Sequence, residues 1–344
     1  MISKESSTAA SELALKLSDF RLGEIEPITD RSVIEFSQAV QEQCDWMHDS
    51  ELNQFILGLC TSVGSQYWNK NSVITLLNNE VGKSIQTAHL VSIQEDNSSQ
   101  SNFVRLLRLS AEGHPDETKG LDSTHLLYID DATFTGRSLA RNLGLLASQI
   151  RNLKMCPRVL VVFHISEFRE SVRPTIATAI EQLKELGVSV SFKSSDSDVP
   201  LLDRNALTLA PSIEMLSSDI SNRFLKSSNS LRSIKESRTQ GTRQLNNLER
   251  DPLFKTSSQR RIVTQGFLEV GIRIRFWSQH WTQTMRPLGF VSSVRDESFG
   301  FGAMFSTFHN SANTSPLALW WGDSSAHHTS ALSKWSPLLP RRPQ

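Results

Sequence analysis

The sequence predicts an α/β protein in which helices flank a parallel sheet, with two further helices before the sheet and an aromatic-rich cap after it. Between residues 126 and 192, short apolar runs alternate with helical patterns, as in a right-handed α/β crossover sheet. Two amphipathic patterns precede this region. Five of the seven tryptophans follow it, at Trp277, Trp281, Trp320, Trp321 and Trp335.

The composition is that of an ordinary globular protein. The chain has 344 residues, of which 38% are hydrophobic, and its 36 basic residues balance 36 acidic ones. These values argue against a fibrous or wholly disordered chain, and against a global positive field that would attract nucleic acid or a membrane. We find neither an apolar signal segment at the amino terminus nor a run near the roughly 20 apolar residues of a membrane span. We therefore expect a cytoplasmic protein.

The cysteines indicate neither a disulfide framework nor a zinc site. Cys44, Cys60 and Cys156 are odd in number, far apart and outside any C-x-x-C pattern.

The amino-terminal region divides into an arm and two helices. We assign residues 1–28 to a loose arm, because the first twenty or so are rich in Ser, Thr and Ala; a weak helix is the alternative for that stretch. Helical spacing of apolar residues from Asp30 onward then predicts two helices. The apolar positions of the first are Val33, Phe36, Val40 and Cys44, and those of the second are Leu52, Phe55, Ile56, Leu59 and Cys60.

The central region supplies the sheet, and we assign residues 29–210 to one α/β core that includes the amino-terminal helices. Strands are predicted over Leu126–Ile129, Val159–Ile165 and Val188–Phe192. A helix from about Ser138 separates the first two strands, and a second helix that ends at Gly187 separates the last two. This alternation requires parallel strands.

Two segments complete the predicted organisation. Residues 211–262 form a basic, Ser-rich segment that is helical or a linker, and residues 263–344 form an aromatic-rich cap that completes the same domain. The charged residues of 222–261 are mostly basic, which is typical of a solvated linker or long surface helix. A surface for nucleic acid or a phosphate-rich partner is the alternative.

The segment Leu126–Ser138, LLYIDDATFTGRS, contains the most informative motif. Asp130 and Asp131 end a buried strand, and a hydroxyl-rich turn containing Gly136 leads into a helix. Ligands of open parallel sheets bind beyond the carboxyl ends of the strands, where a helix amino terminus offers free N–H groups to a phosphate. The carboxylates suit vicinal ribose hydroxyls, directly or through magnesium. The pattern indicates a ribose 5-phosphate site. An ordinary strand-to-helix turn with two exposed carboxylates is the alternative.

This motif resembles the phosphoribosyl pyrophosphate (PRPP) motif of the phosphoribosyltransferases, in which an apolar strand and two acidic residues precede Thr-Gly-x-Thr/Ser. The resemblance implies that Asp130 and Asp131 contact the ribose hydroxyls and hold Mg²⁺ indirectly. It also implies a 5-phosphate loop formed by Ala132, Thr133, Phe134, Thr135, Gly136, Arg137 and Ser138. Phe134 occupies the place where purine-salvage members often carry an acidic base, which argues against purine salvage.

The family also has a short loop that contacts the pyrophosphate. The best candidate here is the stretch that contains Lys83 and Ser84, in NNEVGKSIQT. A solvated lysine is an equally weighted interpretation of Lys83. The stretch is not a nucleotide-binding P-loop, because no glycine-rich loop precedes it.

The carboxyl-terminal segment indicates which group of phosphoribosyltransferase-like proteins the chain resembles. It is similar to the end of the phosphoribosyltransferase-like proteins of bacterial conflict and anti-phage gene clusters, the PRTase-CE type. The matching positions are Asn313, Pro316, Trp320, Trp335, Pro337, Leu338, Pro340 and Arg341. Such residues either seal the core or form part of a ligand pocket.

The resemblance implies binding of PRPP or a related nucleotide with Mg²⁺, in a bacterial defence setting with partner proteins. Transfer of phosphoribose would release pyrophosphate. A non-catalytic nucleotide-sensing or interaction module on the same fold is the alternative. His164 lies in a buried strand pattern and is interpreted as a core or strand-end histidine.

Overall fold

The computed structural model describes residues 1–81, 88–94, 99–110, 124–133, 136–165, 172–194, 209, 251, 253–278, 282–291 and 298–341. The chain divides into two compact units. Lys70–Val199 form the first, which we call the sheet unit. Met1–Asn69 and Pro200–Gln344 form the second, which we call the end unit because it combines both ends of the chain.

The sheet unit is built on a parallel sheet of four strands, in the order β2-β3-β4-β5. The strands are β2 (His89–Leu90), β3 (His125–Asp130), β4 (Val159–His164) and β5 (Ser189–Ser194). The three longer strands coincide with the three predicted ones. The predicted α/β class and parallel sheet are therefore confirmed.

Helices α6 (Arg137–Asn152) and α7 (Arg173–Glu185) pack together and cover one face of this sheet. Both were predicted. Their apolar faces share a core with alternate residues of β3 and β4. The helices contribute Leu139, Leu143, Ile176 and Leu183, and the strands contribute Leu126, Leu160 and Val162. Helix α5 (Ser99–Ser110) packs against β3, and α4 (Lys70–Leu76) continues into a π-helical turn, Leu77–Val81.

The described residues of the end unit include four long helices: α1 (Lys4–Lys16), α2 (Asp30–Glu42), α3 (Asp49–Gln66) and α8 (Ser257–Trp277). Helix α1 packs on α2 and α3, and α8 packs on the same two helices. Helices α2 and α3 confirm the two predicted ones. Their buried side chains form one hydrophobic core with those of α1 and α8.

The first 28 residues contain α1, as in the weak-helix alternative and unlike the loose arm to which they were assigned. The Ser3 hydroxyl accepts a hydrogen bond from the Ser6 N–H and thereby caps the helix. The Ser3 N–H donates to Asn53 Oδ1 of α3 at 2.7 Å. Ala10 and Leu13 are buried. Small side chains allow α1 to approach its neighbours closely, and tertiary packing stabilises a helix whose own amphipathic pattern is weak.

The predicted domain boundaries also differ from the structure. Helices α2 and α3 belong to the end unit rather than to the sheet, and α8 crosses the boundary placed at residue 262. The reason is that α8 is buried on most sides from Ile262 onward, although its first turn is polar. Residues 222–250 of the basic segment lie outside the described part. Arg260 pairs with Asp251 and lies over the ring of Phe254.

The rest of the end unit consists of short elements. Strands β1 (Tyr67–Trp68), β8 (Ser306–Thr307) and β9 (Asn310–Ser311) form one small sheet, and β6 (Met285–Arg286) pairs with β7 (Gly289–Phe290). Helix α9 (Leu317–Trp320) and a 3₁₀ turn, Ala331–Lys334, follow. None of the helices in the described ranges is long and apolar enough to cross a membrane.

The tryptophans of the carboxyl-terminal segment pack inside the end unit. The indole N–H of Trp335 donates to the Ala318 carbonyl at 2.7 Å, and its ring meets Phe36 of α2 edge to face. The Trp320 indole donates to the Ser315 carbonyl at 2.8 Å. These contacts support the interpretation that this segment seals the core.

Candidate functional site

The acidic pair lies at the carboxyl edge of the parallel sheet. Strand β3 ends at Asp130, and Asp131 begins the connection to α6. Asp130 is in register with His164 at the end of β4. Because β3 and β4 are parallel, the connections that leave both strands emerge at this edge, where ligands of such sheets bind.

The carboxyl group of Asp130 is turned into the protein. The residue is only 7% exposed. Its Oδ2 accepts hydrogen bonds from the Tyr128 hydroxyl at 3.0 Å and from Gln94 Nε2 at 3.1 Å, while its Oδ1 accepts the Asp131 N–H at 3.0 Å. Burial, and secondarily the nearby charge of Asp131, raises the pKa of Asp130 well above its ordinary value.

Amide side chains from two other segments complete a polar network around Tyr128. Its hydroxyl accepts from Asn142 Nδ2 of α6 at 2.8 Å and from Gln94 Nε2 at 3.0 Å. Gln94 lies after β2, where the side-chain oxygen of Gln100 accepts the backbone N–H groups of Ile93 and Gln94. The sequence analysis missed this network. A polar Asn142 on the otherwise apolar face of α6 is the signal that points to it.

Asp131 is placed differently from its neighbour. It is half-buried, and its Oδ1 accepts the Ala132 N–H at 2.7 Å, which fixes the first turn of the connection. The structure therefore separates the two predicted ribose contacts into a buried carboxyl group and a more accessible one.

Thr133 and His164 join the ends of β3 and β4. Thr133 Oγ1 and His164 Nε2 are 2.7 Å apart, and both residues are buried. Burial lowers the pKa of His164 to about 4, so the imidazole is neutral at physiological pH. His164 is thus a core histidine at a strand end, as expected, and it holds the first threonine of the predicted phosphate loop.

Gly136 is the N-cap of α6 and has a conformation that favours glycine. Its φ is +74°, and a Cβ at this position would lie 2.9 Å from the Cβ of Val172. Arg137 and Ser138 follow at the exposed start of the helix. The first N–H groups of a helix have no partner within it and favour an anion. The predicted loop residues Phe134 and Thr135 lie outside the described residues.

The other predicted contacts are only partly within the structure. Lys83 and Ser84 of the candidate pyrophosphate loop lie outside the described part. Among the side chains that the structure does describe, no group of three or more His, Cys, Asp or Glu residues could hold a metal ion. Mg²⁺ commonly uses one or two carboxylates together with substrate phosphates and water, and the half-buried Asp131 fits that donor set.

A family-model comparison identifies one match. Residues 40–341 match the PRTase-CE model, which spans most of the chain and includes the connection from β3 to α6. Comparisons with curated proteins and with solved structures gave no significant match.

Proposed function

The chain belongs to the PRTase-CE family of phosphoribosyltransferase-like proteins, and we propose that its sheet-edge site binds PRPP or a related ribose phosphate or nucleotide. One observation carries this proposal. The connection from β3 to α6 has a carboxylate, Asp131, at one end and the start of a helix at Gly136 at the other. An acceptor for hydroxyls and donors for a phosphate are thus separated by only a few residues.

The 5-phosphate would lie against the amino terminus of α6. Backbone N–H groups there, together with the partial positive charge of the helix, favour a dianion. Gly136 leaves the backbone of the turn unobstructed, and Arg137 adds positive charge at the exposed start of the helix. The neutral His164 fixes Thr133 without adding charge.

Magnesium would bind beside Asp131, with the diphosphate or the ribose hydroxyls of the ligand as its other partners. When bound, the ion would neutralise charge that develops on the pyrophosphate leaving group. Asp131 would orient the ligand there, while the helix amino terminus would hold the opposite end of the sugar phosphate.

As an enzyme, the protein would transfer phosphoribose to a base, an amine or a macromolecular acceptor. The bond between ribose C1 and the pyrophosphate oxygen breaks, pyrophosphate leaves, and C1 forms a bond to the acceptor, which loses a proton. Positioning and charge neutralisation would supply most of the rate enhancement.

A non-catalytic nucleotide-sensing module is the second candidate, and two observations favour it. The buried titratable groups of the site are already engaged in internal hydrogen bonds: Asp130 with Tyr128, and His164 with Thr133. Phe134 stands where related salvage enzymes carry a base. Release of pyrophosphate in the presence of candidate acceptors would separate an enzyme from a sensor.

Calorimetric titration of Mg²⁺ and PRPP tests binding, with nucleotides as further ligands. We expect saturable binding by the wild type and at least a tenfold loss of affinity in Gly136→Ala. Gly144→Ala is the matched control, because it lies in the same helix and its added Cβ would come no nearer than 3.8 Å to Gln182. Absence of binding by the folded wild type, or equal affinities of the two variants, would contradict the proposal.

The setting that we propose is bacterial defence against phage or plasmids, on the strength of the resemblance in the carboxyl-terminal segment. Phage plating on cells that carry the gene in its natural cluster should differ between wild type and Asp131→Asn. Equal plating with and without the gene would count against this role.

A further inference from the structure

We infer that the two adjacent carboxylates have separate roles: Asp131 contacts the ribose hydroxyls or their magnesium ion, whereas Asp130 anchors the strand end from inside the protein. This inference rests on the proposed function. The separate roles make the proposed function more specific, because recognition of the sugar hydroxyls is assigned to one side chain of the pair.

The oxygens of Asp130 already accept hydrogen bonds from inside the protein. A carboxylate offers about four lone-pair positions for hydrogen bonds. Tyr128 and Gln94 use two positions on Oδ2, and the Asp131 N–H uses one on Oδ1. One position on Oδ1 remains, but with the residue only 7% exposed a sugar hydroxyl would have to enter the protein interior to reach it.

The two side chains that donate to Asp130, Tyr128 and Gln94, are themselves held by further hydrogen bonds. The Tyr128 hydroxyl has Asp130 as its acceptor and two amides as its donors, from Asn142 and Gln94. Gln94 is in turn fixed through its backbone N–H by Gln100, which is fully buried. Four segments of the sheet unit thus contribute to the network behind Asp130: the segment after β2, the start of α5, β3 and α6. Hydrogen bonds from Tyr128 and Gln94, which are themselves bonded to other segments, therefore hold the Asp130 carboxyl group in place.

Asp131 differs in the respects that matter for a ligand. It follows the strand, is half-buried, and accepts the Ala132 N–H through Oδ1. That bond sets the direction of the carboxylate at the start of the connection that leads to Gly136. The network behind Asp130 also holds the Asp131 N–H, so the anchor fixes the backbone from which Asp131 extends.

Matched asparagine variants test this division, since Asp130→Asn and Asp131→Asn make the same change one residue apart. The probes are ribose 5-phosphate, 2-deoxyribose 5-phosphate and 3-deoxyribose 5-phosphate, each in competition with PRPP in the presence of Mg²⁺. The measured quantity is the preference for ribose 5-phosphate over each deoxy sugar.

We expect the wild type to prefer ribose 5-phosphate over at least one deoxy sugar by about tenfold or more, as for a hydroxyl paired with a charged group. Asp131→Asn should bring the preference to within about twofold of unity. Asp130→Asn should keep it within about twofold of the wild-type value, even if all three affinities fall together. A purely structural change cannot produce this difference between the two variants.

Gln94→Met provides a second variant in case Asp130→Asn does not fold. It removes the Nε2 donor to Asp130 and Tyr128 at similar side-chain length, and the sugar preference should persist. The inference is overturned if Asp130→Asn or Gln94→Met abolishes the preference, if Asp131→Asn preserves it, or if the wild type shows none. A folded wild type that binds neither PRPP nor any of the sugars would instead refute the proposed function itself.

Discussion

The sheet unit and the end unit are stabilised in different ways. In the sheet unit, apolar strands end in a cluster of buried polar groups: Tyr128, Asp130, Asn142 and His164. In the end unit, helices from both ends of the chain share a core, and glycines with positive φ bring backbone segments into direct contact. The polar cluster makes the sheet unit sensitive to the loss of hydrogen bonds and to pH. Close backbone packing makes the end unit sensitive to added volume.

The distribution of aromatic residues allows the two units to be followed separately. No tryptophan lies in the range of the sheet unit, Lys70–Val199, since the seven of the chain are at positions 46, 68, 277, 281, 320, 321 and 335. Tryptophan fluorescence therefore reports on the end unit. Hydrogen exchange of the amides in β3 and β4 reports on the sheet unit.

The largest effect should come from added volume in the end unit. Gly289 has a φ of +106°, and a Cβ there would lie 2.3 Å from the Thr314 carbonyl oxygen. Gly289→Ala should lower the free energy of unfolding by about 4 kcal/mol, because backbone strain and overpacking add. Urea unfolding followed by tryptophan fluorescence measures the change.

Gly23→Ala separates strain from crowding. Gly23 also has positive φ, +83°, but nothing lies within 4 Å of an added Cβ. Gly23→Ala should lower the free energy of unfolding by only about 1 kcal/mol. Similar losses in the two variants would show that close packing is not what distinguishes the end unit.

The next effect is pH dependence in the sheet unit. The pKa of His164 is about 4 in the folded protein and 6.5 ordinarily, so the unfolded chain binds the additional proton between these values. The contribution of the neutral His164 to the free energy of unfolding is therefore fully present above pH 6.5 and is lost as the pH falls toward 4. The loss should reach about 3 kcal/mol. Hydrogen exchange of β3 and β4 at several pH values in this range, without ligand, measures it.

His164→Gln is the control, because glutamine can bond to Thr133 but does not titrate. The buried Asp130 acts with the opposite sign: its pKa is raised, so its contribution is lost as the pH rises above its ordinary value. The Asp130 contribution is the same in the wild type and in His164→Gln, so it cancels when the pH dependence of one is subtracted from that of the other. Equal pH dependence of wild type and variant would contradict the role given to His164.

The two tyrosines of the chain provide the third comparison, since one lies in each unit. Tyr128→Phe leaves the Asn142 and Gln94 amides without their hydroxyl acceptor and should lower stability by about 2 kcal/mol. Tyr67→Phe loses a 2.6 Å hydrogen bond to Asp19 in a partly exposed position and should lower it by about 1 kcal/mol. Hydrogen exchange and fluorescence respectively measure the two changes. A larger loss for Tyr67→Phe would reverse the comparison.

The parts of the fold that the sequence predicted are those with a local pattern. Strands β3 and β4 are apolar runs, β5 alternates, and α2, α3, α6 and α7 carry apolar residues at helical spacing. The motif around Asp131 and Gly136 was also visible, because strand, acidic pair and glycine turn are contiguous. Local patterns suffice wherever the partners of a residue are its neighbours in the chain.

What the sequence did not predict depends on partners that are far apart in the chain. Gln94 and Tyr128 meet across 34 positions, and neither is unusual in its own segment. Helix α1 has small residues whose burial depends on α3, and the end unit joins segments separated by the whole sheet unit. The inward direction of Asp130 follows from the same distant contacts, so a motif that treats two carboxylates alike cannot distinguish them.

The smallest effect concerns one helical glycine in each unit. An added Cβ at Gly144 of α6 would come no nearer than 3.8 Å to Gln182, an ordinary contact distance, and Gly144→Ala should raise the free energy of unfolding by about 1 kcal/mol through helix propensity. Gly58 of α3 has the same propensity to gain, but its added Cβ would lie 2.8 Å from Val263 Cγ2, in the core between α3 and α8. Overpacking should cancel or exceed the gain there. Stabilisation of the end unit by Gly58→Ala would mean that α8 can move away from α3, and that the core of the end unit tolerates added volume as readily as the surroundings of Gly144.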